Sequence, residues 1–292
     1  MKEALFYKKL ENNAVKCQLC NHFCQIASNN SGICGVRKNI NGKLFSLNYG
    51  KIIAEHIDPI EKKPLYHFLP GTLTYSIAAA GCNFRCLNCQ NADISQLTPG
   101  LINSIDALPE ISREEIVERA LASDCPSLSY TYTEPTVFAE FALDCMKLAR
   151  KKELKNIWVS NGYVSPSALK KITPYLDAIN IDLKSFNNET YQKICGASLQ
   201  PILNNLIWLK NKKIHLEVTT LIIPGINDSE RELRDIAQFI SAKLEKKTPW
   251  HVSVFYPTHK LLSVPPTSKE SVFQAMEIGK KIGLKHVHAG NI

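Results

Sequence analysis

Short β-rich runs alternate with amphipathic stretches from about Leu73 onward, and this alternation constrains the fold more than any other feature. The runs that predict strands are Leu73 to Ala80, Ser127 to Thr133, Asn156 to Ser160, Ala178 to Leu183, Ile214 to Ile222, His251 to Phe255 and His286 to His288. Strands that alternate with helices form right-handed βαβ units around a parallel sheet. We therefore expect an α/β fold with six or seven such units, as a full or partial (β/α) barrel, or failing that a doubly wound open sheet.

Helix starts between these runs are marked by capping residues. Apolar residues at helical spacing predict helices over Val137 to Lys151 and Gln200 to Lys210. Ser165 followed by Pro166 predicts a capped helix with proline in its first turn. Three further starts are predicted from pairs spaced as in a capping box: Ser112 with Glu115, Ser229 with Glu232, and Thr267 with Glu270.

Polar residues follow the predicted strands at the ends where barrel enzymes carry their chemistry. They are a cysteine-containing loop after the first strand, Glu134, Asn161, Asp182 with Lys184, and the segment 224–228. Asp182 and Lys184 are two residues apart, so both face the same side of an extended strand. We expect all of these groups to meet at one mouth, with His251 on the opposite face of its strand.

The cysteine loop carries Cys82, Cys86 and Cys89 with the spacing Cys-x₃-Cys-x₂-Cys. Three thiolates suit an iron–sulfur cluster, in which each iron is tetrahedral. A [4Fe–4S] cluster with three local ligands keeps one iron open for a small molecule. Structural zinc sites usually show paired cysteine knuckles and four ligands, which this loop does not supply. The spacing therefore predicts a cluster with an open iron.

Together with four other stretches, this loop resembles the radical S-adenosylmethionine (radical SAM) superfamily. The stretches are Gly-Cys-Asn-Phe-Arg-Cys-Leu-Asn-Cys-Gln-Asn from Gly81, Tyr-Thr-Tyr-Thr-Glu-Pro-Thr from Tyr130, Val-Ser-Asn-Gly-Tyr from Val159, Ile-Asp-Leu-Lys-Ser-Phe from Ile181 and Ile-Pro-Gly-Ile-Asn-Asp from Ile223. The resemblance extends from Cys17 to Asn291. It is closest to the AmmeMemoRadiSam-system radical enzymes, relatives of the pyruvate formate-lyase activating enzymes. Family members generally continue past Asn291 into a tail with another cysteine pair, which the sequence to Ile292 does not contain.

This resemblance implies a barrel of the radical SAM type and an activity. A [4Fe–4S] cluster on Cys82, Cys86 and Cys89 would bind S-adenosylmethionine and cleave it reductively. The products would be methionine and a 5′-deoxyadenosyl radical that takes hydrogen from a substrate which the sequence does not identify.

Contacts to S-adenosylmethionine are also implied by the resemblance. Glu134 occupies the position that binds the amino group of the methionine moiety, and Asn161 the position that binds its ribose or carboxylate. Asp182 and Lys184 match cofactor contacts of the glycyl-radical activating enzymes. Asn88 stands where the family often has an aromatic residue. The sequence identifies no catalytic residue beyond these contacts.

A second cysteine set lies upstream and consists of Cys17, Cys20, Cys24 and Cys34. Four ligands are enough to close a metal site, and zinc or a second iron–sulfur cluster would both fit, with His22 as a further possible ligand. We expect a cysteine-rich metal-binding extension over 1–69 and the barrel core over 70–292. The remaining thiols, at Cys125, Cys145 and Cys195, are expected to be inert and buried.

Net charge and hydropathy restrict the cellular location and the binding partners that we expect for this protein. The net charge is +8, but no basic stripe is interleaved with aromatic residues, so we expect solvated helix faces rather than nucleic-acid binding. The charged N-terminus is unlike a secretory signal, and no apolar run approaches the roughly 18 residues of a membrane span, so we expect a cytoplasmic protein. The resemblance implies an electron donor such as flavodoxin or ferredoxin, and it admits a protein substrate.

Three other functions stay open. The protein could activate a glycyl-radical partner, as the match at Asp182 and Lys184 suggests. It could be an iron–sulfur electron-transfer protein without catalysis, which would not bind S-adenosylmethionine. It could also be a zinc-knuckle protein that binds nucleic acid with strong salt dependence.

Overall fold

The computed structural model describes residues 1–292, apart from the side chains of Pro99 and Asn103. The strands are β1 (Lys2–Glu3), β2 (Tyr7–Lys9), β3 (Val15–Cys17), β4 (Gln25–Ile26), β5 (Arg37–Ile40), β6 (Lys43–Ser46), β7 (Ile52–Pro59), β8 (Leu73–Ala79), β9 (Ser127–Tyr130), β10 (Lys155–Ser160), β11 (Ala178–Asp182), β12 (His215–Ile222), β13 (Trp250–Val254) and β14 (Val287–Gly290). The α-helices are α1 (Ala92–Ser95), α2 (Pro99–Ala107), α3 (Arg113–Ala122), α4 (Ala139–Lys151), α5 (Pro166–Ile172), α6 (Asn188–Thr190), α7 (Gln200–Lys210), α8 (Glu230–Lys243) and α9 (Lys269–Ile282).

The largest sheet contains the strands from β7 to β14 in the order β14-β13-β12-β11-β10-β9-β8-β7. Neighbouring strands from β8 to β14 are parallel, and β7 is antiparallel to β8. The strand order never reverses, which excludes the doubly wound sheet. The sheet curves around a cavity lined by residues from all seven parallel strands or the loops that follow them. The fold is therefore the expected partial (β/α) barrel, with β7 and β14 at its two open edges.

Most of the predicted caps are present. Ser112 and Glu115 form the reciprocal capping box, and the Ser165 side chain caps α5. At α8, Ser229 accepts a hydrogen bond from the Glu232 backbone N–H, as a cap should. The Glu232 carboxylate, however, accepts from the Phe186 backbone N–H at 2.8 Å instead of from Ser229. The expected capping box at α8 is wrong, because the Glu232 side chain binds the backbone of Phe186, in the loop after β11, and not the backbone of Ser229.

The last helix begins one residue later than predicted. Ser268 caps α9, accepting from the Ser271 backbone N–H at 3.1 Å. The Thr267 hydroxyl instead donates to the Ile222 carbonyl at 2.5 Å and accepts from the Phe255 backbone N–H at 2.9 Å. Thr267 thus joins the ends of β12 and β13 rather than capping the helix.

The N-terminal region forms two small antiparallel sheets, β1-β6-β5 and β2-β3-β4. The first of these sheets contacts α4, where Arg37 and Glu140 form a fully buried ion pair, and Glu140 Oε1 also accepts from the Leu5 backbone N–H at 2.9 Å. One continuous apolar core joins these sheets to the barrel. The expected boundary between residues 69 and 70 stays a prediction, since β7 from the upstream region is already a strand of the large sheet.

In the part of the chain that the structure describes, no helix is both long and apolar enough to cross a membrane.

Candidate functional site

A cavity of about 570 Å³ lies inside the curved sheet, at the carboxyl ends of the parallel strands. Apart from the segment 224–228, its wall contains the residues that the sequence placed at the mouth: Cys82, Cys86, Cys89, Glu134, Asn161, Asp182 and Lys184. The segment 224–228 contributes instead to a smaller neighbouring cavity, which Lys184 also lines. The strand ends therefore converge as the parallel sheet predicts.

His251 also lines the large cavity, so its expected position on the opposite face of β13 is wrong. The sequence could not distinguish the faces, because β13 is buried on both sides. In the structure, His251 is register partner of Thr219 on β12 and of His288 on β14.

The cysteine loop is fixed through its own backbone. The carbonyl of Asn83 accepts from His22 Nε2 at 2.8 Å, that of Phe84 from Gln96 Nε2 at 3.2 Å, and that of Leu87 from the Lys260 backbone N–H at 2.9 Å. These three donors come from the N-terminal extension, the segment after α1 and the loop after β13. The loop is thus held from three separate parts of the chain.

Cys195 contacts this loop, which the sequence did not reveal. The Arg85 backbone N–H donates to the Cys195 carbonyl at 2.9 Å. The Cys195 thiol hydrogen-bonds to Cys86, and this bond lowers the pKa of Cys86. Cys125 and Cys145 are buried as expected, and Cys195 is buried too, although it adjoins an expected cluster ligand.

Glu134 is buried in the loop that follows β9, and it holds neighbouring residues of the cavity wall through hydrogen bonds. Its Oε1 accepts from the Thr136 backbone N–H at 3.0 Å and from the Ser160 hydroxyl at 2.8 Å, and its Oε2 accepts from the Asn161 backbone N–H at 2.8 Å. Burial outweighs these bonds and raises the pKa of Glu134. The Asn161 side chain donates to Asn83 Oδ1 at 2.7 Å, which links this wall to the cysteine loop.

Asp182 and Lys184 form an ion pair in another part of the cavity wall, with Lys184 Nζ 2.7 Å from Asp182 Oδ2. Burial favours the neutral amine, but the charge of Asp182 outweighs it and holds the pKa of Lys184 well above its ordinary value. Asp182 and Lys184 therefore line the cavity as an ion pair.

A buried polar cluster adjoins the cavity residues Tyr66 and His251, and the sequence did not reveal it. Glu217 in β12 is fully buried. Its Oε2 accepts from His251 Nε2 at 2.6 Å and from the Tyr66 backbone N–H at 3.1 Å, and its Oε1 accepts from His215 Nε2 at 2.7 Å and from the His67 backbone N–H at 2.9 Å. Glu217 is the one charged residue in the otherwise uncharged run Leu216 to Ile222, and that isolation was the available signal.

Lys63 also lines the cavity, although nothing in the sequence indicated this. Its Nζ lies 2.5 Å from Asp58 Oδ2 and 4.3 Å from the centre of the Tyr132 ring. Burial lowers the pKa of Lys63 to about 8. The cavity thus contains a buried amine whose pKa lies below its ordinary value.

The second cysteine set lies in and after the β3-β4 hairpin. The Cys17 backbone N–H donates to the Cys24 carbonyl at 2.9 Å, and burial raises the pKa of Cys17 and, to about 11, that of Cys34. The positive charge of Arg37 opposes this rise at both thiols. Arg37 is fully buried, and its Nε and Nη1 have no hydrogen-bond partner. As the side chains stand, no three His, Cys, Asp or Glu residues among those described surround a single ion.

Comparisons with known proteins agree with this geometry. A family model described as the radical SAM superfamily matches residues 76–240, more than half of the chain. An uncharacterised protein of Methanocaldococcus jannaschii is 45% identical over 294 residues, covering 100% of this chain and 86% of that protein. The pyruvate formate-lyase 1-activating enzyme of Escherichia coli is 23% identical over 218 residues, covering 70% of this chain and 87% of that enzyme. The fold is shared with a radical SAM methyltransferase of Sphaerobacter thermophilus, with a TM-score of 0.57 and 12% identity over 76% of this chain and 67% of that one. The chain therefore belongs to the radical SAM superfamily.

Proposed function

We propose that this protein cleaves S-adenosylmethionine reductively and uses the resulting radical to take hydrogen from a substrate bound in the barrel cavity. A [4Fe–4S] cluster, when bound, supplies the electron for that cleavage. The observation that carries the proposal is the meeting of three cysteines on one loop with Glu134, Asn161 and the Asp182–Lys184 pair around one cavity.

Cys82, Cys86 and Cys89 would hold the cluster. They come from one loop and offer three thiolates, which suits a cluster that keeps one iron open. The hydrogen bond from Cys195 favours the thiolate form of Cys86. Two polar atoms of this loop, Asn83 Nδ2 and Asn88 Oδ1, are buried without a partner. Unpartnered buried groups fit a polar ligand that completes the site.

The walls would hold S-adenosylmethionine. Glu134 presents an acceptor to the amino group of the methionine moiety, and an ammonium there would favour its ionised form. Asn161 lies between Glu134 and the cysteine loop, so it is placed to hydrogen-bond the ribose or carboxylate. Lys184 and Asp182 provide a cation and an acceptor on the facing wall.

The finer assignment is an AmmeMemoRadiSam-type enzyme whose substrate is unidentified. The second candidate is an activating enzyme for a glycyl-radical protein, favoured by the relative named for pyruvate formate-lyase activation. An electron donor such as flavodoxin or ferredoxin belongs to the proposal in both cases, and a protein substrate belongs to the second. The free cysteines, which a reducing compartment keeps as thiols, also favour a cytoplasmic location.

We also propose that Cys17, Cys20, Cys24 and Cys34 bind zinc or a second iron–sulfur cluster. The support is Arg37, a fully buried guanidinium with two unpartnered N–H groups whose charge acts on two of these thiols. Buried cations need an anionic partner, and metal-bound thiolates would supply one beyond Glu140.

The test is anaerobic reconstitution with iron and sulfide, followed by S-adenosylmethionine and dithionite and an assay for 5′-deoxyadenosine. We expect product from the wild-type protein and from Cys125→Ala, a buried thiol outside the cavity, and none from Cys86→Ala. Equal product from both variants, or a loaded protein that does not bind S-adenosylmethionine, would contradict the proposal. The latter result would favour the electron carrier.

The two finer assignments are separated by mixing the reconstituted enzyme with pyruvate formate-lyase and recording electron paramagnetic resonance spectra. A glycyl-radical signal would support the activating enzyme. Cleavage of S-adenosylmethionine without that signal would leave the AmmeMemoRadiSam-type assignment.

A further inference from the structure

Five of the eight histidines gather at the amino ends of β12, β13 and β14, below the cofactor end of the cavity. They are His67, His215, His251, His286 and His288, and they surround Glu217 or one another. The proposed radical chemistry uses none of them.

The cluster connects the two open edges of the barrel. His67 lies in the connection from β7 to β8, at one edge of the large sheet, and His288 lies on β14, at the other edge. Their Nε2 atoms are 2.9 Å apart. Glu217 accepts from the Tyr66 and His67 backbone N–H groups and so fixes the connection under the sheet. The connection therefore forms a floor that reaches from edge to edge.

The spacing of the imidazoles suits a metal ion. Two nitrogens that each lie about 2.0–2.1 Å from one Zn²⁺ are about 2.8–3.4 Å apart, for angles from about 90° to tetrahedral. The His67–His288 separation falls at the short end of that range. The His286 ring lies 4.4 Å from that of His67 between centroids, and His286 immediately precedes β14, which carries His288.

A fourth imidazole, itself fixed by the Glu217 carboxylate, packs against one of these three rings. The His251 ring, held by Glu217 at 2.6 Å, stacks on that of His288 with centroids 5.3 Å apart. The ligands nearby are imidazoles rather than thiolates, which favours Zn²⁺, Ni²⁺ or Cu²⁺ over Mg²⁺ or Ca²⁺.

We propose that His67, His286 and His288 bind one divalent transition-metal ion of the Zn²⁺ class, which ties the β7–β8 connection to β14 and closes the floor of the barrel. No three such side chains in the described part of the chain already surround one point, so the His286 ring turns towards the other two when the ion binds. Side-chain rotations of this kind are fast where the residue is not fully buried, as here.

The test uses the full chain with its cysteine sites reconstituted and Zn²⁺ as the probe. Bound zinc per chain is measured after gel filtration for the wild type, His67→Gln, His288→Gln and the control His56→Gln, an exposed histidine on β7. We expect the wild type and the control to hold one more equivalent than the two cluster variants. Equal zinc in all four proteins would overturn the proposal.

A second readout identifies the ligands and guards against misfolded variants. Co²⁺ added in place of Zn²⁺ should bind as the extra equivalent without adding a thiolate charge-transfer band, and it should raise the Tm of the wild type but not of His67→Gln. His67 is exposed, so its variant should keep the wild-type Tm in the absence of metal. A thiolate band from the extra ion, or the same metal-induced Tm rise in His67→Gln, would refute the histidine site.

Discussion

Replacing Glu217 by Gln should destabilise the barrel more than any exposed Glu→Gln change. Burial alone would raise the pKa of Glu217, but hydrogen bonds from His215, His251 and the His67 backbone outweigh it and lower that pKa to about 2, from 4.5. One pKa unit corresponds to about 1.4 kcal/mol, so the ionised carboxylate stabilises the fold by about 3 kcal/mol at neutral pH. Glutamine keeps the shape but loses the charge and one acceptor.

The pH dependence of that effect has a definite sign. Because the folded pKa lies below the unfolded one, the stabilisation is complete above about pH 4.5 and is lost as the pH falls towards 2. The free energy of unfolding should therefore differ between the wild type and Glu217→Gln by about 3 kcal/mol at pH 7, and by progressively less below pH 4.5.

Circular dichroism at several pH values measures this difference under anaerobic conditions. A loss of about 3 kcal/mol should lower the Tm by roughly 6–12 °C at pH 7 for a chain of this size. Glu277→Gln is the control, since Glu277 is exposed on α9 and pairs only with Lys280. A Glu217→Gln protein as stable as this control at pH 7 would refute the reasoning, and so would a difference that grows on acidification.

Three further changes test the site and its supports. Glu134→Gln should raise the Kd for S-adenosylmethionine by about ten- to a hundredfold in equilibrium dialysis, since it removes a charged acceptor; an unchanged Kd would exclude Glu134 from the contact. Arg37→Met should lower the free energy of unfolding by about 3–5 kcal/mol, measured as a lower Tm, because it leaves the Glu140 charge buried and unpaired. The double variant Arg37→Met with Glu140→Leu should recover much of that stability. Gly81→Ala should reduce the iron bound per chain, because Gly81 has φ +104° and an added Cβ would lie 2.9 Å from Val36 Cγ1; full iron content would show that the cysteine loop tolerates the shift.

The parallel sheet explains why much of the candidate site could be predicted from the sequence. Glu134, Asn161, Asp182 and the cysteine loop each follow a strand, and parallel strands end at one edge, so sequence position was enough to bring them together. The helix over 200–210 was predicted to the residue because its spacing is local.

Contacts between residues that lie far apart in the chain could not be predicted from the sequence. Cys195 reaches Cys86 only through the fold, and Arg37 pairs with Glu140 across 103 residues. The face of His251 was misjudged because a strand buried on both sides has no alternating pattern to reveal it.

The backbone contacts of the cysteine loop have a consequence for how the protein matures. The Asn83 carbonyl is bound by His22 and the Leu87 carbonyl by the Lys260 backbone, so both halves of the chain must be in place before the loop has its final shape. During synthesis, Cys82, Cys86 and Cys89 leave the ribosome more than 170 residues before Lys260 does. We therefore expect cluster insertion to follow closure of the barrel, and we expect the three thiols to be more open to oxidation or to the wrong metal until then.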